Sequence, residues 1–247
     1  VFIMNRLYFS FLITGIAGLS TLLGIIPVFI KTKNKDNIIN ASLAFASGVM
    51  LSVSLFSLFP ESITLLQNKY NNKGIVVVVL LFIIIGVFLA SLIDKVFKKI
   101  DNKLYKLGVI NALALMIHNI PEGILTFSTT TTNLSLGITL ALSIMFHNIP
   151  EGISISVPIY YSTGSKRKAF LYTFISGFSE ILGAVITYLF LYKYISNSFI
   201  GIILSLTVGI MSYISLNELL PSAIKYNNKK LTGVAFVIGF IFMLFFK

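Results

Sequence analysis

The chain has 247 residues, of which 56% are hydrophobic and 11% are charged, and its mean hydropathy is +0.94. This composition leaves too little polar surface for a soluble domain of this size, so the lipid bilayer is its expected solvent. The formal net charge of +11 does not indicate nucleic acid binding, because the basic residues lie in short loops. The chain contains no cysteine, which excludes disulfides and thiolate metal ligands.

Eight apolar stretches, separated by clusters of charged residues and Asn, follow one another along the chain. A membrane-spanning helix needs about 20 apolar residues, so the pattern predicts an all-α integral membrane protein. We expect one polytopic domain over residues 1–247, with the first stretch retained as a span rather than removed as a signal peptide. The predicted spans are 7–30, 38–59, 74–93, 107–127, 134–160, 169–191, 199–220 and 231–246.

Basic residues are distributed unevenly between the two sets of loops that alternate along these spans. Because loops rich in Lys and Arg remain on the cytoplasmic side, we predict a multi-pass plasma-membrane protein with both termini outside the cytoplasm. The rich set holds 14 of the 19 basic residues: Lys31, Lys33, Lys35, Lys95, Lys98, Lys99, Lys103, Lys106, Lys166, Arg167, Lys168, Lys225, Lys229 and Lys230.

The hexad His-Asn-Ile-Pro-Glu-Gly occurs twice, at 118–123 and at 147–152, on consecutive predicted spans. The midpoint between His118 and His147 falls in the polar turn 128–133, so an antiparallel hairpin places both hexads at the same depth. At 1.5 Å per residue that depth is about 15–20 Å, near the middle of a hydrocarbon core about 30 Å thick. The hexads are therefore predicted to face each other at the midplane.

Each hexad carries metal-ligating side chains on one helical face, because His and Glu are four residues apart and Asn and Glu are three apart. Imidazole, carboxylate and amide oxygen together suit Zn²⁺, Fe²⁺, Mn²⁺ and Co²⁺ better than Ca²⁺ or Cu⁺. The only two histidines of the chain stand in these hexads. We therefore predict a transition-metal site from His118, Asn119, Glu122, His147, Asn148 and Glu151.

A third acidic residue, Glu180, also lies deep inside a predicted span. An uncompensated charge at such depth costs on the order of 3 kcal/mol or more, so these carboxylates indicate function, and a divalent cation would satisfy several at once. The alternative is a pair of proline-kinked helices whose His and Glu side chains simply bond each other. Two hexads at one depth, joined by Glu180, favour the metal site.

Two weaker matches pair the outer spans. Residues 18–24 of the first span resemble residues 177–183 of the sixth. Partners in each match are separated by an odd number of spans and cross the membrane in opposite directions, which predicts a 3+2+3 inverted repeat typical of secondary transporters. The second and seventh spans match at a constant offset, where Gly48, Met50, Ser54, Leu55, Leu58 and Pro60 correspond to Gly209, Met211, Ser215, Leu216, Leu219 and Pro221.

In these motifs the chain resembles the ZIP (Zrt/Irt-like) metal transporters, particularly bacterial members of the zinc-uptake type. The resemblance implies a binuclear midplane site, with one metal position formed by His118, Glu122, His147 and Glu151. The second position would take Asn119, Asn148 and Glu180 and share Glu122 and Glu151 as bridges, with Met50 as a contact on the uptake side. The long His-rich loop of many members is absent, since residues 94–106 contain no His.

The predicted function is import of divalent transition-metal ions into the cytoplasm by alternating access, with Zn²⁺ first and Fe²⁺, Mn²⁺, Co²⁺ and Cd²⁺ as further candidates. The resemblance implies that the central spans move against the others. An intramembrane zinc-dependent hydrolase is the alternative, although the chain lacks a His-Glu-x-x-His pattern. We expect metal ions and lipid as partners, no nucleic acid, no prosthetic group and no enzymatic activity. A homodimer, proton coupling and channel-like flux stay open.

Overall fold

The computed structural model describes residues 2–191 and 196–245, and within these ranges it contains helices and short turns but no strand. The first seven of its eight main helices are long and apolar enough to cross a membrane, which confirms an all-α, multi-pass membrane protein. The helices are α1 (Arg6–Phe29, preceded by helical residues from Phe2), α2 (Lys35–Leu66), α3 (Asn72–Val96), α4 (Lys103–Thr132), α5 (Leu134–Thr163), α6 (Lys166–Phe190), α7 (Asn197–Ile224) and α8 (Lys229–Phe242).

Several helices extend beyond the apolar stretches from which they were predicted. Helix α2 ends at Leu66, seven residues after the predicted limit of 59, and α4 begins at Lys103 rather than at 107. Hydropathy marks where apolar residues stop, whereas a helix continues until its backbone is capped. The eighth predicted span, 231–246, corresponds to α8, which is shorter than the others, and residue 246 lies outside the described residues.

The turns place a capping side chain before nearly every helix. The Asn102 side chain accepts hydrogen bonds from the backbone N–H groups of Leu104 and Tyr105 at 3.1 and 3.0 Å. Such a cap satisfies donors that the first helical turn cannot satisfy itself, which explains why Asn is frequent between the spans. The same role is filled by Asn34, Asn71, Asn133, Ser165, Ser196 and Asn228.

Replacing Asn102 with Ala is expected to lower the free energy of unfolding by about 1 kcal/mol, because two donors of α4 lose their acceptor. Thermal unfolding of the purified protein in detergent would measure the change. The control is Asn197→Ala, which alters an exposed Asn inside the first turn of α7 rather than a cap. Equal unfolding temperatures for the two variants would contradict the capping role.

The helices pack as two four-helix groups. The first group consists of α1, α4, α5 and α6, which contact one another extensively. In the second group, α2 packs against α8 and α3 packs against α7. The second group is completed by the packing of α2 against α7, while the principal contact between the groups is that of α2 with α5. The site helices therefore form a bundle of their own, which borders the other group along a narrower surface.

Glycines let the helices of the second group approach closely at two crossings. A Cβ at Gly48 would overlap the Phe236 carbonyl, and one at Gly239 would overlap the Phe45 carbonyl, so α2 and α8 meet backbone to backbone. Gly209 and Gly86 have the same relation across α7 and α3. Small residues at such crossings are common in membrane bundles, because helix association there depends on close packing.

Helices α2 and α7 each contain a π-helical turn shortly before a proline. The turns cover Ser54–Leu58 in α2 and Ile214–Leu219 in α7, and Pro60 and Pro221 follow them. A proline removes one backbone donor and crowds the preceding turn, which a wider turn relieves. The hexad prolines, in contrast, leave α4 and α5 helical over their full described lengths.

Candidate metal centre

The two hexads lie side by side on α4 and α5, in the middle of the first helix group. Both histidines and both hexad glutamates are at most 4% exposed. The His118 and His147 rings have their centroids 6.5 Å apart. The depth match predicted from the hairpin midpoint thus brings the two motifs into contact.

Glu122 lies at the centre of the acidic and imidazole groups. Its Oε1 atom is 3.2 Å from His118 Nε2 on its own helix and 2.9 Å from His147 Nε2 on α5. His118 Nε2 is also 3.2 Å from Glu151 Oε1. Candidate ligand atoms of His118, His147 and Glu151 all lie within 4.8 Å of one another, a spacing that one metal ion can bridge.

The hexad asparagines are oriented by backbone carbonyls of the flanking helices. Asn119 Nδ2 donates to the Ser176 carbonyl of α6 at 2.9 Å, and Asn148 Nδ2 donates to the Ala17 carbonyl of α1 at 2.9 Å. Asn148 Nδ2 is also 2.5 Å from Glu180 Oε1, which connects the third buried carboxylate to the hexads. With each NH₂ group used in this way, the amide oxygens are left as acceptors.

The three glutamates and two asparagines of the cluster each keep at least one buried oxygen without a hydrogen-bond partner among the described residues. Buried acceptors without partners are rare in proteins, and clustered carboxylates in a low-dielectric interior repel one another. A divalent cation supplies the missing partner for several oxygens at once, so the donor set fits a bound metal ion. The oxygens are Asn119 Oδ1, Glu122 Oε2, Asn148 Oδ1, Glu151 Oε2 and Glu180 Oε2.

The closing glycine of each hexad allows a flanking helix to reach the site. A Cβ at Gly123 would overlap the Glu180 carbonyl, and one at Gly152 would overlap the Thr21 carbonyl. These crossings hold α6 against α4 and α1 against α5, which places Glu180 and the two amide-orienting carbonyls beside the hexads.

Met50 differs from the other predicted site residues. It is fully buried among apolar side chains of the larger core, and its carbonyl accepts a hydrogen bond from Ser54 Oγ at 2.8 Å.

Sequence reasoning did not identify the carbonyls of Ala17 and Ser176, although each belongs to the residue directly before the matched glycines Gly18 and Gly177. Backbone groups carry no residue-type signal, so only that match could have indicated them.

The fold and the cluster together define a class of protein: a multi-pass helical membrane protein with a buried cluster of nitrogen and oxygen donors that fits a metal ion. Comparison with known proteins makes this assignment specific. The family model described as ZIP zinc transporter matches residues 6–106 and 101–247.

Curated relatives match over almost the whole chain. The zinc transporter ZupT of Streptococcus mutans serotype c (strain ATCC 700610 / UA159) is 38% identical over 254 residues, covering 97% of this chain and 96% of the relative. The zinc transporter ZupT of Clostridium perfringens (strain 13 / Type A) is 36% identical over 271 residues, covering 97% and 95%.

The chain belongs to the ZIP zinc transporter family. This confirms the resemblance seen in the paired hexads and identifies the chain as a membrane transporter rather than an enzyme. The alternative of an intramembrane hydrolase is not supported by these matches.

Proposed function

We propose that this protein imports divalent transition-metal ions, Zn²⁺ first, into the cytoplasm through the buried cluster on α4, α5 and α6. The observation that carries the proposal is the set of buried carboxylate and amide oxygens without partners, gathered around two histidines. Both relatives are named zinc transporters, which supports Zn²⁺ as the substrate. Fe²⁺, Mn²⁺, Co²⁺ and Cd²⁺ are further candidate substrates, because the donor set accepts them chemically.

The proposed site is binuclear. One ion is bound by His118, Glu122, His147 and Glu151, and the 4.8 Å grouping of three of these residues supports that position. The other ion is bound by Asn119, Asn148 and Glu180, with Glu122 and Glu151 shared between the two ions. The close pair of Asn148 and Glu180 supports this second position. Met50 is proposed as a contact for ions arriving from the uptake side.

We further propose that residues 1–247 form one domain of eight spans in a 3+2+3 inverted repeat, with α8 as the last span and both termini outside the cytoplasm. Equivalent contacts support the repeat, since Asn148 bonds the Ala17 carbonyl as Asn119 bonds the Ser176 carbonyl. The glycine crossing of α2 with α8 likewise has its counterpart in that of α7 with α3. An inverted repeat produces two alternative, symmetry-related packings, as alternating access requires.

The two helix groups are the proposed moving parts. The group with α4 and α5 carries every proposed ligand except Met50, and it meets the other group mainly through the α2 contact with α5. Movement of one group against the other would expose the same site first to one side and then to the other. Each transport cycle requires this movement, which limits the number of ions that one molecule can carry per second. We therefore expect the flux to saturate with metal concentration.

Zinc uptake into proteoliposomes tests the proposal. Purified protein is reconstituted, and uptake of radioactive Zn²⁺ is followed against protein-free vesicles, with unlabelled Fe²⁺, Mn²⁺, Co²⁺ and Cd²⁺ as competitors. We expect saturable uptake that depends on the protein. If the folded protein bound zinc but did not take it up, the result would refute transport. Uptake that does not saturate would indicate a channel rather than a carrier.

The binuclear assignment makes a separate prediction about stoichiometry. The native chain is expected to bind two zinc ions at equilibrium, and the double variant Asn119→Leu with Asn148→Leu is expected to bind one, because the second position loses two of its own ligands. Equilibrium dialysis with elemental analysis measures the ratio. Asn40→Leu is the control, since Asn40 is a buried asparagine of α2 whose amide oxygen already accepts from Thr232 Oγ1 at 3.1 Å. Two ions bound by the double variant would contradict the assignment.

A further inference from the structure

A third asparagine has the same bonding arrangement as the two in the hexads. Asn111 of α4 is fully buried, and its Nδ2 donates to the Ser154 carbonyl of α5 at 3.1 Å. Its Oδ1 is buried without a hydrogen-bond partner among the described residues. In Asn119 and Asn148 the same combination leaves an amide oxygen for a cation, so Asn111 offers a further oxygen of the same kind.

Asn111 and Ser154 form a second contact between α4 and α5, further along the hairpin than the contact between the two histidines. Asn111 lies seven residues before His118, and Ser154 lies seven residues after His147, so the pair forms the layer two helical turns beyond the histidine pair. Two turns span about 10 Å and return to nearly the same helical face. Both residues lie toward the ends of α4 and α5 that carry the basic loops at Lys103 and Lys166.

The Ser154 side chain links this layer to the cluster. Its Oγ donates to the Glu151 carbonyl at 2.7 Å, which leaves the lone pairs of Oγ as acceptors. One turn further along α4, Gly108 packs against the apolar side chain of Ile159 of α5. An ion that left the cluster toward the basic loops along this hairpin would pass the Asn111 and Ser154 oxygens.

We propose that Asn111 and Ser154 form a release-side subsite, in which the Asn111 amide oxygen and Ser154 Oγ receive a partly hydrated divalent cation as it leaves the cluster toward the cytoplasm. The inference rests on the proposed function for its direction of movement. Neutral oxygens suit this task, because they replace some hydration water without holding the ion as strongly as a carboxylate does.

Thiol labelling tests the position of Asn111 without requiring transport. The chain contains no cysteine, so Asn111→Cys introduces a single thiol that a trimethylammonium methanethiosulfonate reagent labels only if a cation can reach it. We expect labelling, followed by intact mass, that saturating zinc slows about fivefold or more by occupying the path. The control is Ser205→Cys. Ser205 is a buried residue of α7 whose hydroxyl donates to the Gly201 carbonyl of its own helix, so a thiol at this position should stay unlabelled.

Zinc flux through Asn111→Leu tests the role of the oxygen. We expect the maximal flux and KM to fall together, each about tenfold, while their ratio stays within about twofold of the native value, because release rather than capture is impaired. Asn40→Leu should keep its flux per folded molecule within about twofold. Equal labelling rates for Asn111→Cys and Ser205→Cys, or native maximal flux through Asn111→Leu, would overturn the inference. Absence of flux in the native chain would instead refute transport and leave the labelling result readable.

Discussion

Glu122→Gln is expected to reduce zinc uptake on the order of 100-fold or more, because loss of this carboxylate removes the group that lies between both histidines. The substitution keeps the size of the side chain, removes its charge and replaces one acceptor oxygen with an NH₂ donor. The protein should therefore still fold, and its unfolding temperature without metal should fall modestly, because both histidines lose a buried carboxylate partner. Uptake into proteoliposomes and thermal unfolding in metal-free buffer measure the two effects.

Glu61→Gln provides the matched control. Glu61 lies on α2 near the end of the helix and is exposed, so the same chemical change should leave uptake within about twofold of the native rate. If Glu122→Gln transported zinc as well as Glu61→Gln does, the central carboxylate would not be a ligand of the transported ion.

Gly152→Ala is expected to lower the free energy of unfolding by about 1–3 kcal/mol or more, because the new Cβ would overlap the Thr21 carbonyl on α1. Backbone cannot move aside as a flexible side chain can, so α1 must shift away from α5. That shift would also move the Ala17 carbonyl that orients Asn148, so we expect weaker zinc binding. Thermal unfolding and zinc titration measure the two consequences.

The control for this substitution has the opposite expected sign. A Cβ at Gly233 in α8 would meet nothing within 4 Å, so Gly233→Ala should stabilise the protein by about 0.5–1 kcal/mol through helix propensity alone. A Gly152→Ala variant as stable as Gly233→Ala would show that α1 does not approach α5 as closely as described.

The pairing of the hexads could be predicted from sequence because it depends on regular geometry. Helical spacing fixed the common face of His118 and Glu122, and the position of the polar turn fixed the equal depth of His118 and His147. Both features require only the helical rise and the assumption of an antiparallel hairpin. The structure accordingly places Glu122 Oε1 3.2 Å from His118 Nε2 and 2.9 Å from His147 Nε2.

Other parts of the site could not be predicted because they depend on backbone packing between distant helices. The orientation of Asn119 is set by the Ser176 carbonyl, 57 residues away in the chain, and no side chain signals that contact. The ends of the helices were also placed imprecisely, because hydropathy does not register caps such as Asn102. Hydropathy likewise gave no indication of the π-helical turns that precede Pro60 in α2 and Pro221 in α7.

Anomalous X-ray scattering at the zinc absorption edge, from crystals of the native chain grown with zinc, tests the central claim most directly. Two anomalous peaks inside the cluster are expected, the stronger one within bonding distance of His118, His147 and Glu151. The second should lie beside Asn148 and Glu180. Zinc found only at surface residues, with the cluster empty at saturating zinc, would contradict the assignment of these hexads as the transport site.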